Sequence, residues 1–221
     1  MLTFFGVERD RDGEPVDVFP TGLAPFIRKA EEGSGDRRVD DGAFGLLPHL
    51  ATDLAYGRRT YNARSETVRS LPSFRDAWRR GQRCIVPAEA IFEPSYESAK
   101  AVRWRISQHG DVPMGIAGIY TRWRHPDGRN LFSFAMLTVN ADDHPVMRRF
   151  HKPGEEKRMV VILDPKDYDD WLACSVDEAV RHFRQWSGEL RAEPAPLFRA
   201  PPSTSGRVFV PPPQPETGEL F

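Results

Sequence analysis

The chain has 221 residues, 39% hydrophobic and 29% charged, with 31 Lys and Arg against 32 Asp and Glu for a formal net charge of -1. That size and balance suit one soluble domain with a full core, exclude a uniformly basic nucleic-acid binder, and leave no apolar run of the length a membrane helix needs. Two cysteines exclude a disulfide framework, and Cys84 and Cys174 show neither C-x-x-C nor Cys/His metal-ligand spacing. Reduced thiols, no metal, no cofactor and a cytoplasmic location are expected, since Met1 to Gly6 is too short for a secretion signal.

In chain order, Glu8 to Glu14 and Glu31 to Asp41 are charged and glycine-containing and read as loops around a strand or turn over Phe19 to Ile27. Phe44 to Leu47 reads as a strand. Ser73 with Asp76 three residues on, after Pro72, predicts the N-cap of a helix ending near Gly81. Strands are predicted over Cys84 to Val86 and Ala90 to Phe92. Another covers Val102 to Ser107, where Val102, Trp104 and Ile106 alternate with polar residues. Met114 to Tyr120, Leu131 to Val139 and Met159 to Leu163 are further apolar runs between turn signals such as His125-Pro126-Asp127-Gly128. Asp164-Pro165 starts a helix bearing Tyr168, Trp171 and Leu172, and Ser175 with Glu178 predicts another running to about Trp186. Beyond Glu193 the chain is proline-rich, so residues 1–193 are read as one domain and 194–221 as an extended tail. The fold class is α+β, a mostly antiparallel β-sheet or half-open barrel flanked by helices.

Charge is not spread evenly. From Arg58 to Arg83 the chain holds eight arginines and two acids, with Tyr56, Tyr61 and Trp78 interleaved. Guanidinium groups fork onto phosphate and stack on bases, which favours nucleic acid over a merely solvated face paired with Glu31, Glu32, Asp40 and Asp41.

Three ordered motifs stand out: Tyr61-Asn62-Ala63-Arg64-Ser65-Glu66-Thr67, the run Arg83 to Glu93, and His151 with Arg158 to Pro165. Together, from about Phe44 to Leu172, they resemble the SOS response-associated peptidase (SRAP) family. That resemblance implies a protein that binds abasic sites in single-stranded DNA. It implies covalent DNA-protein crosslinking and autoproteolytic release of the leading residues.

Residue by residue, the resemblance assigns Asn62 to hydrogen-bond the sugar or reacting amine, Glu93 to shuttle protons during imine formation, and His151 to protonate the sugar ring oxygen. It gives Arg64 a phosphate beside the lesion, places Thr138 near the pocket, and matches the family's Gly-x-x-Pro segment to Gly45-Leu46-Leu47-Pro48. Arg58 and Arg59 extend the DNA-binding set. Phe92 and Pro94 suggest a partly apolar setting that raises the Glu93 pKa. The loop after His151 is longer than the family's, so His144 is the rival histidine, and Pro94 stands where the family shows tryptophan.

One departure bears on the chemistry. The family's nucleophile is a cysteine directly after the initiator methionine, and this chain has Leu2 there. Two readings are open: a start upstream of Met1 carrying Met-Cys, which is preferred, or a family member without the thiol. Peptidase or lyase-type chemistry is expected only with the upstream start. The alternative function is a non-catalytic single-stranded DNA-binding or scaffold protein of the same fold. Oligomeric state is not legible.

Overall fold

The computed structural model describes residues 1–8, 16–30, 36–98, 100–125 and 127–197. The strands are β1 Leu23–Lys29, β2 Arg37–Phe44, β3 Asn62–Arg64, β4 Arg83–Ala88, β5 Ile91–Ser95, β6 Val102–Gln108, β7 Met114–Arg124, β8 Asn130–Asn140, β9 Arg158–Val160, β10 Ile162–Leu163 and β11 Leu190–Pro194. Helix is scarce among the described residues: α1 spans Arg75–Arg79, α2 spans Tyr168–Ala173, and the rest is short 3-10 turns.

β4, β1, β2, β8 and β7 pair in that order, and β7 pairs again with β4, so five strands close a ring. Pairing is mostly antiparallel, with β2 and β3 parallel to β8. Closure is partial. Phe134 of β8 has Phe44 of β2 on one side and Tyr120 of β7 on the other, whereas Thr138 has Arg64 of β3 and Val160 of β9. β3 and β9 therefore replace β2 and β7 at one end, and the barrel opens there.

Aromatic residues fill the closed end. Phe26 meets Tyr120, Phe132 and Phe134 with ring centroids 5.4, 5.7 and 5.7 Å apart, and Phe44 stacks on Phe134 at 5.5 Å. Burying such a side chain stabilises by about 1.5–3 kcal/mol. Outside the ring, α2 packs on β4 through Trp171, whose indole N–H donates to the Cys84 carbonyl at 2.8 Å. A second sheet in the order β11, β6, β5 is joined to the ring because β4 runs into β5 across Glu89 and Ala90.

Several predicted elements differ. The expected loop over Glu31 to Asp41 contains the start of β2, a strand whose charged residues are matched across the sheet, as when Arg28 Nε donates to Asp40 at 2.7 Å. Period-two reading missed it because both alternating sets carry charge. The expected Phe44 to Leu47 strand ends at Phe44, since Gly45 turns the chain at φ 124°. Ser73 is not a cap: its hydroxyl meets the Tyr56 hydroxyl at 2.9 Å, and α1 starts after Phe74 without a side-chain cap.

Met159 to Leu163 divides at Val161, whose N–H donates to Leu137 of β8 while its carbonyl accepts from Ala117 of β7, both at 2.8 Å. Asp164 does accept from the Lys166 N–H, with Pro165 at the first position of the turn. Ser175 and Glu178 do form a reciprocal capping box, but the segment it starts is a 3-10 turn over Glu178–His182 rather than a helix to Trp186. Beyond Glu193 the chain is still paired, as β11. The Glu8 to Glu14 loop past Glu8, the first part of the Glu31 to Asp41 loop, Pro126 and the tail from residue 198 lie outside the described residues.

Candidate functional site

Glu93 lies in the middle of β5, directly opposite Trp104 of β6, and cross-strand partners share a face of the sheet. Trp104 packs edge-on against Phe150 at 6.0 Å. The carboxyl therefore sits in an apolar corner with its side chain 21% exposed, and burial pushes its pKa up to about 7. Phe92 points to the other face, where the Arg103 guanidinium lies 3.4 Å from its ring centroid.

The free edge of β5 is where His151 arrives. Ser95 bridges to Phe150, and the His151 N–H donates to the Pro94 carbonyl at 3.0 Å. Proline lacks a donor but keeps this acceptor, so Pro94 fits the strand and orients the histidine. His151 adopts φ 64°, a left-handed conformation unusual for a residue with a side chain. Its Nε2 comes within 3.4 Å of Glu93 Oε2, while Nδ1 is buried without a partner.

Burial, then the nearby Lys157 ammonium, lowers the His151 pKa. An acid shifted up beside a base shifted down favours the neutral pair, in which one proton lies between carboxyl and imidazole.

Asn62 opens β3 opposite Met136, and its side-chain Oδ1 is buried with no partner, an acceptor whose burial costs free energy unless something supplies a donor. Arg64, two residues on, is exposed, and its Nη1 donates to Glu156 at 2.9 Å. Thr138 is its neighbour on β8, only 4% exposed, with its hydroxyl accepting from Arg158 Nε at 3.2 Å.

The segment after His151 ties the two groups together. Glu156 holds Arg64, the Lys157 ammonium donates to the His151 carbonyl at 3.2 Å, and Arg158 joins Thr138 to Glu66 at 2.8 Å. The sequence gives Glu156 no role, marks Arg158 only as the start of a motif, and marks Trp104 only as an alternating strand residue. Each acts through partners that are remote along the chain.

Arg58 and Arg59 are exposed on the 3-10 turn Leu54–Arg59 just before β3, with Arg59 over the Tyr56 ring at 5.2 Å. Pro48 is buried at the wall of an open cavity also lined by His49 and Arg80. The arginine-rich stretch does not fold wholly outward. Arg83 is 4% exposed and donates to the Trp171 carbonyl at 2.6 Å, and Trp78 is a core residue packed on Phe183.

Of the acids considered as partners, Asp40 pairs with Arg28 and Arg38. The rival His144 is structural: it is 3% exposed, its Nδ1 accepts from the Val146 and Met147 N–H groups, and its Nε2 meets the Trp186 carbonyl at 3.0 Å.

Cysteine spacing concealed one convergence. Asp170, Cys174 and His182 bring ligand-type atoms within 4.8 Å of one another, but the Asp170 carboxylate already pairs with Arg181 and with His182 Nε2 at 2.8 Å. No helix among the described residues is long and apolar enough to cross a membrane. At the amino end, the 3-10 turn Leu2–Phe5 is anchored by Phe5, which stacks on Tyr168 at 5.4 Å and accepts a hydrogen bond from Arg37.

A partly closed mixed barrel, with a carboxyl–imidazole pair at the strand leaving it, defines an α+β fold of the half-open barrel kind. The chain belongs to the SOS response associated peptidase (SRAP) family, whose signature matches residues 5–195. Over 130 residues it is 32% identical to the abasic site processing protein YoqW of Bacillus subtilis, covering 58% of this chain and 54% of that one. It thus spans about half the length of that relative.

Among solved structures, a protein from Bordetella bronchiseptica superposes with a TM-score of 0.75 at 39% identity, covering 85% of this chain and 90% of that one. A protein from Bacteroides thetaiotaomicron gives a TM-score of 0.65 at 25% identity, covering 79% and 74%.

Proposed function

We propose that this chain recognises an abasic site in single-stranded DNA and opens its sugar ring, with Asn62, Glu93 and His151 in the lesion pocket. The observation that carries this reading is the 3.4 Å approach of His151 Nε2 to Glu93 Oε2, with the two pKa values moved toward a shared proton. An abasic deoxyribose is a cyclic hemiacetal. Opening it breaks the bond from C1 to the ring oxygen, puts a proton on that oxygen and takes one from the anomeric hydroxyl, leaving an aldehyde. A pair holding one proton can do both: His151 delivers a proton to the ring oxygen and Glu93 relays the one released.

Asn62 has an acceptor in need of a donor, which a sugar hydroxyl or an attacking amine supplies. Arg64, Arg58 and Arg59 give the strand its phosphate contacts, Pro48 lies at the margin, and Thr138 positions Arg158. Attack of an amine on the aldehyde then gives an imine and releases water, with Glu93 donating the proton the departing hydroxyl needs. Recognition and ring opening use only these groups. Covalent capture, which the family implies, needs in addition an N-terminal amine beside a thiol.

The test compares fluorescence anisotropy on matched single-stranded oligonucleotides with and without one abasic site, followed by denaturing gels. Tighter binding to the lesion, reduced by Asn62→Ala, is expected. Equal affinity for both strands overturns the reading, and a heat-stable shifted band reports the covalent step separately.

A further inference from the structure

His151 keeps its left-handed backbone at the start of a loop whose residues 152–156 are all exposed, so packing does little to fix the chain there. Its two backbone polar groups are held instead. The N–H donates to the Pro94 carbonyl at 3.0 Å, on the strand that carries Glu93, and the carbonyl accepts from the Lys157 ammonium at 3.2 Å. The same ammonium donates to the Lys152 carbonyl at 2.7 Å, so one cation closes the loop from the inside.

Lys157 is itself fixed by its backbone. Its N–H donates to Asp142 Oδ1 at 2.8 Å and its carbonyl accepts from the Ala141 N–H at 2.7 Å. Asp142 is held in turn by the Asn140 side chain at 2.8 Å, and Asn140 lies opposite Arg158 where β8 pairs with β9. A surface lysine ordinarily spends its three donors on water. Half-buried between exposed Glu156 and buried Arg158, Lys157 places two of them on carbonyls of the turn that bears the histidine.

A left-handed residue with a side chain is disfavoured roughly 5- to 30-fold against ordinary backbone, and it persists where its surroundings over-determine it. If the His151 carbonyl is released, φ relaxes to a negative value about an N–H still anchored on Pro94. That rotation turns the Cα–Cβ bond and carries Nε2 away from Glu93 Oε2, now 3.4 Å distant.

We propose that Lys157 is a positioning residue for ring opening, acting through His151 by holding the histidine backbone in the conformation that sets Nε2 on Glu93. The role rests on the function proposed above; the clamp itself rests on the two carbonyl contacts. Electrostatics add a second effect. His151 is faced by Glu93 from β5, by Glu155 and Lys157 from its own loop and by Arg158 from β9, and of these Lys157 acts most strongly, after burial, to lower its pKa. The ammonium thus also opposes a second proton on the carboxyl–imidazole pair.

The experiment uses the full chain with Lys157→Met, which keeps the apolar stem, and Lys157→Arg, which keeps a cation with donors for both carbonyls. An aminooxy probe reads the rate of aldehyde release from an abasic single-stranded oligonucleotide across pH. In Lys157→Met the rate should fall roughly 5- to 30-fold, the full cost of the left-handed backbone. The acid limb of the profile should move to higher pH, because the doubly protonated pair persists longer without the cation. Lys157→Arg should restore most of both. A lysine that merely stabilised the fold would lower the melting temperature and leave the limb in place.

Nuclear magnetic resonance without DNA supplies an independent arm, through the His151 ¹³Cα shift and the titration of its ring. Both should move in Lys157→Met. If neither moves, the clamp is overturned whatever the rates show. If both move while the rate and the limb stay at wild-type values, the positioning role is overturned and the proposed function stands. If both move and the wild type itself releases no aldehyde, the clamp is upheld and the function above falls.

Discussion

Arg64 and Glu156, 92 residues apart in the chain, meet at 2.9 Å between Nη1 and Oε2. The same carboxylate also accepts from Asn140 and from Arg158. A phosphate that engages Arg64 must take the place of Glu156, and because the pair is exposed, at 57% and 34%, that exchange costs about 1 kcal/mol or less. Glu156→Gln is therefore expected to tighten binding of single-stranded DNA by roughly two- to fivefold at low salt, and Arg64→Ala to weaken it. Weaker binding by Glu156→Gln in anisotropy titrations would show the carboxylate to be a support for the site rather than a competitor.

Stability should record the Glu93 environment. Its folded pKa is raised from 4.5 to about 7, so between those values the folded state holds a proton the unfolded chain has released, and stability falls as pH rises through that window. His151 is shifted down, so its own contribution is lost in the other direction, as pH falls below its ordinary 6.5. Glu93→Gln removes the first term. The variant should match the wild type near pH 4 and exceed it by roughly 3 kcal/mol well above pH 7 in urea unfolding curves. A constant difference across pH would contradict a buried, titrating carboxyl.

Gly45 should tolerate no side chain. A Cβ there would lie 2.3 Å from the Gly57 carbonyl oxygen and 2.5 Å from its Cα, and φ is 124°. Gly45→Ala must push apart the turn after β2 and the turn bearing Arg58 and Arg59. A loss of about 2–4 kcal/mol is expected, with weakened DNA binding in whatever remains folded. A melting temperature equal to the wild type's would refute this close packing.

His151 separates backbone shape from chemistry. Asparagine accepts a left-handed conformation far better than a β-branched residue does, so His151→Asn should melt near the wild type while His151→Val loses about 1–2 kcal/mol. Both should lose ring opening, read as the rate at which an aminooxy probe captures the freed aldehyde. Retained rates in the asparagine variant would take the imidazole out of the reaction.

Much of this was legible beforehand, for local reasons. The strands over Val102 and Met114 carry simple alternation or continuous apolar runs, and the Asp164-Pro165 start and the Ser175–Glu178 box encode their own geometry within four residues. Motif resemblance singles out Glu93 and His151 as candidates. Their contact is not legible in the sequence, because it depends on an isolated bridge between Ser95 and Phe150 that no periodicity announces. Charge likewise misled locally: Arg83 and Arg64 look alike in sequence, yet one is folded under α2 and the other faces solvent. β2 was hidden because a strand lined with paired Arg and Asp has the composition of a loop.

β8 is bordered by β2 and β3 on one edge and by β7 and β9 on the other. Its neighbours are contributed by segments from Gly42 to Val160, so the strand can be completed only after most of the chain has emerged and long loops have closed. Such non-local pairing folds in milliseconds to seconds rather than microseconds. Once β8 is enclosed on both sides, its central amides should be among the slowest in the molecule to exchange with deuterium, opening only when the whole barrel comes apart.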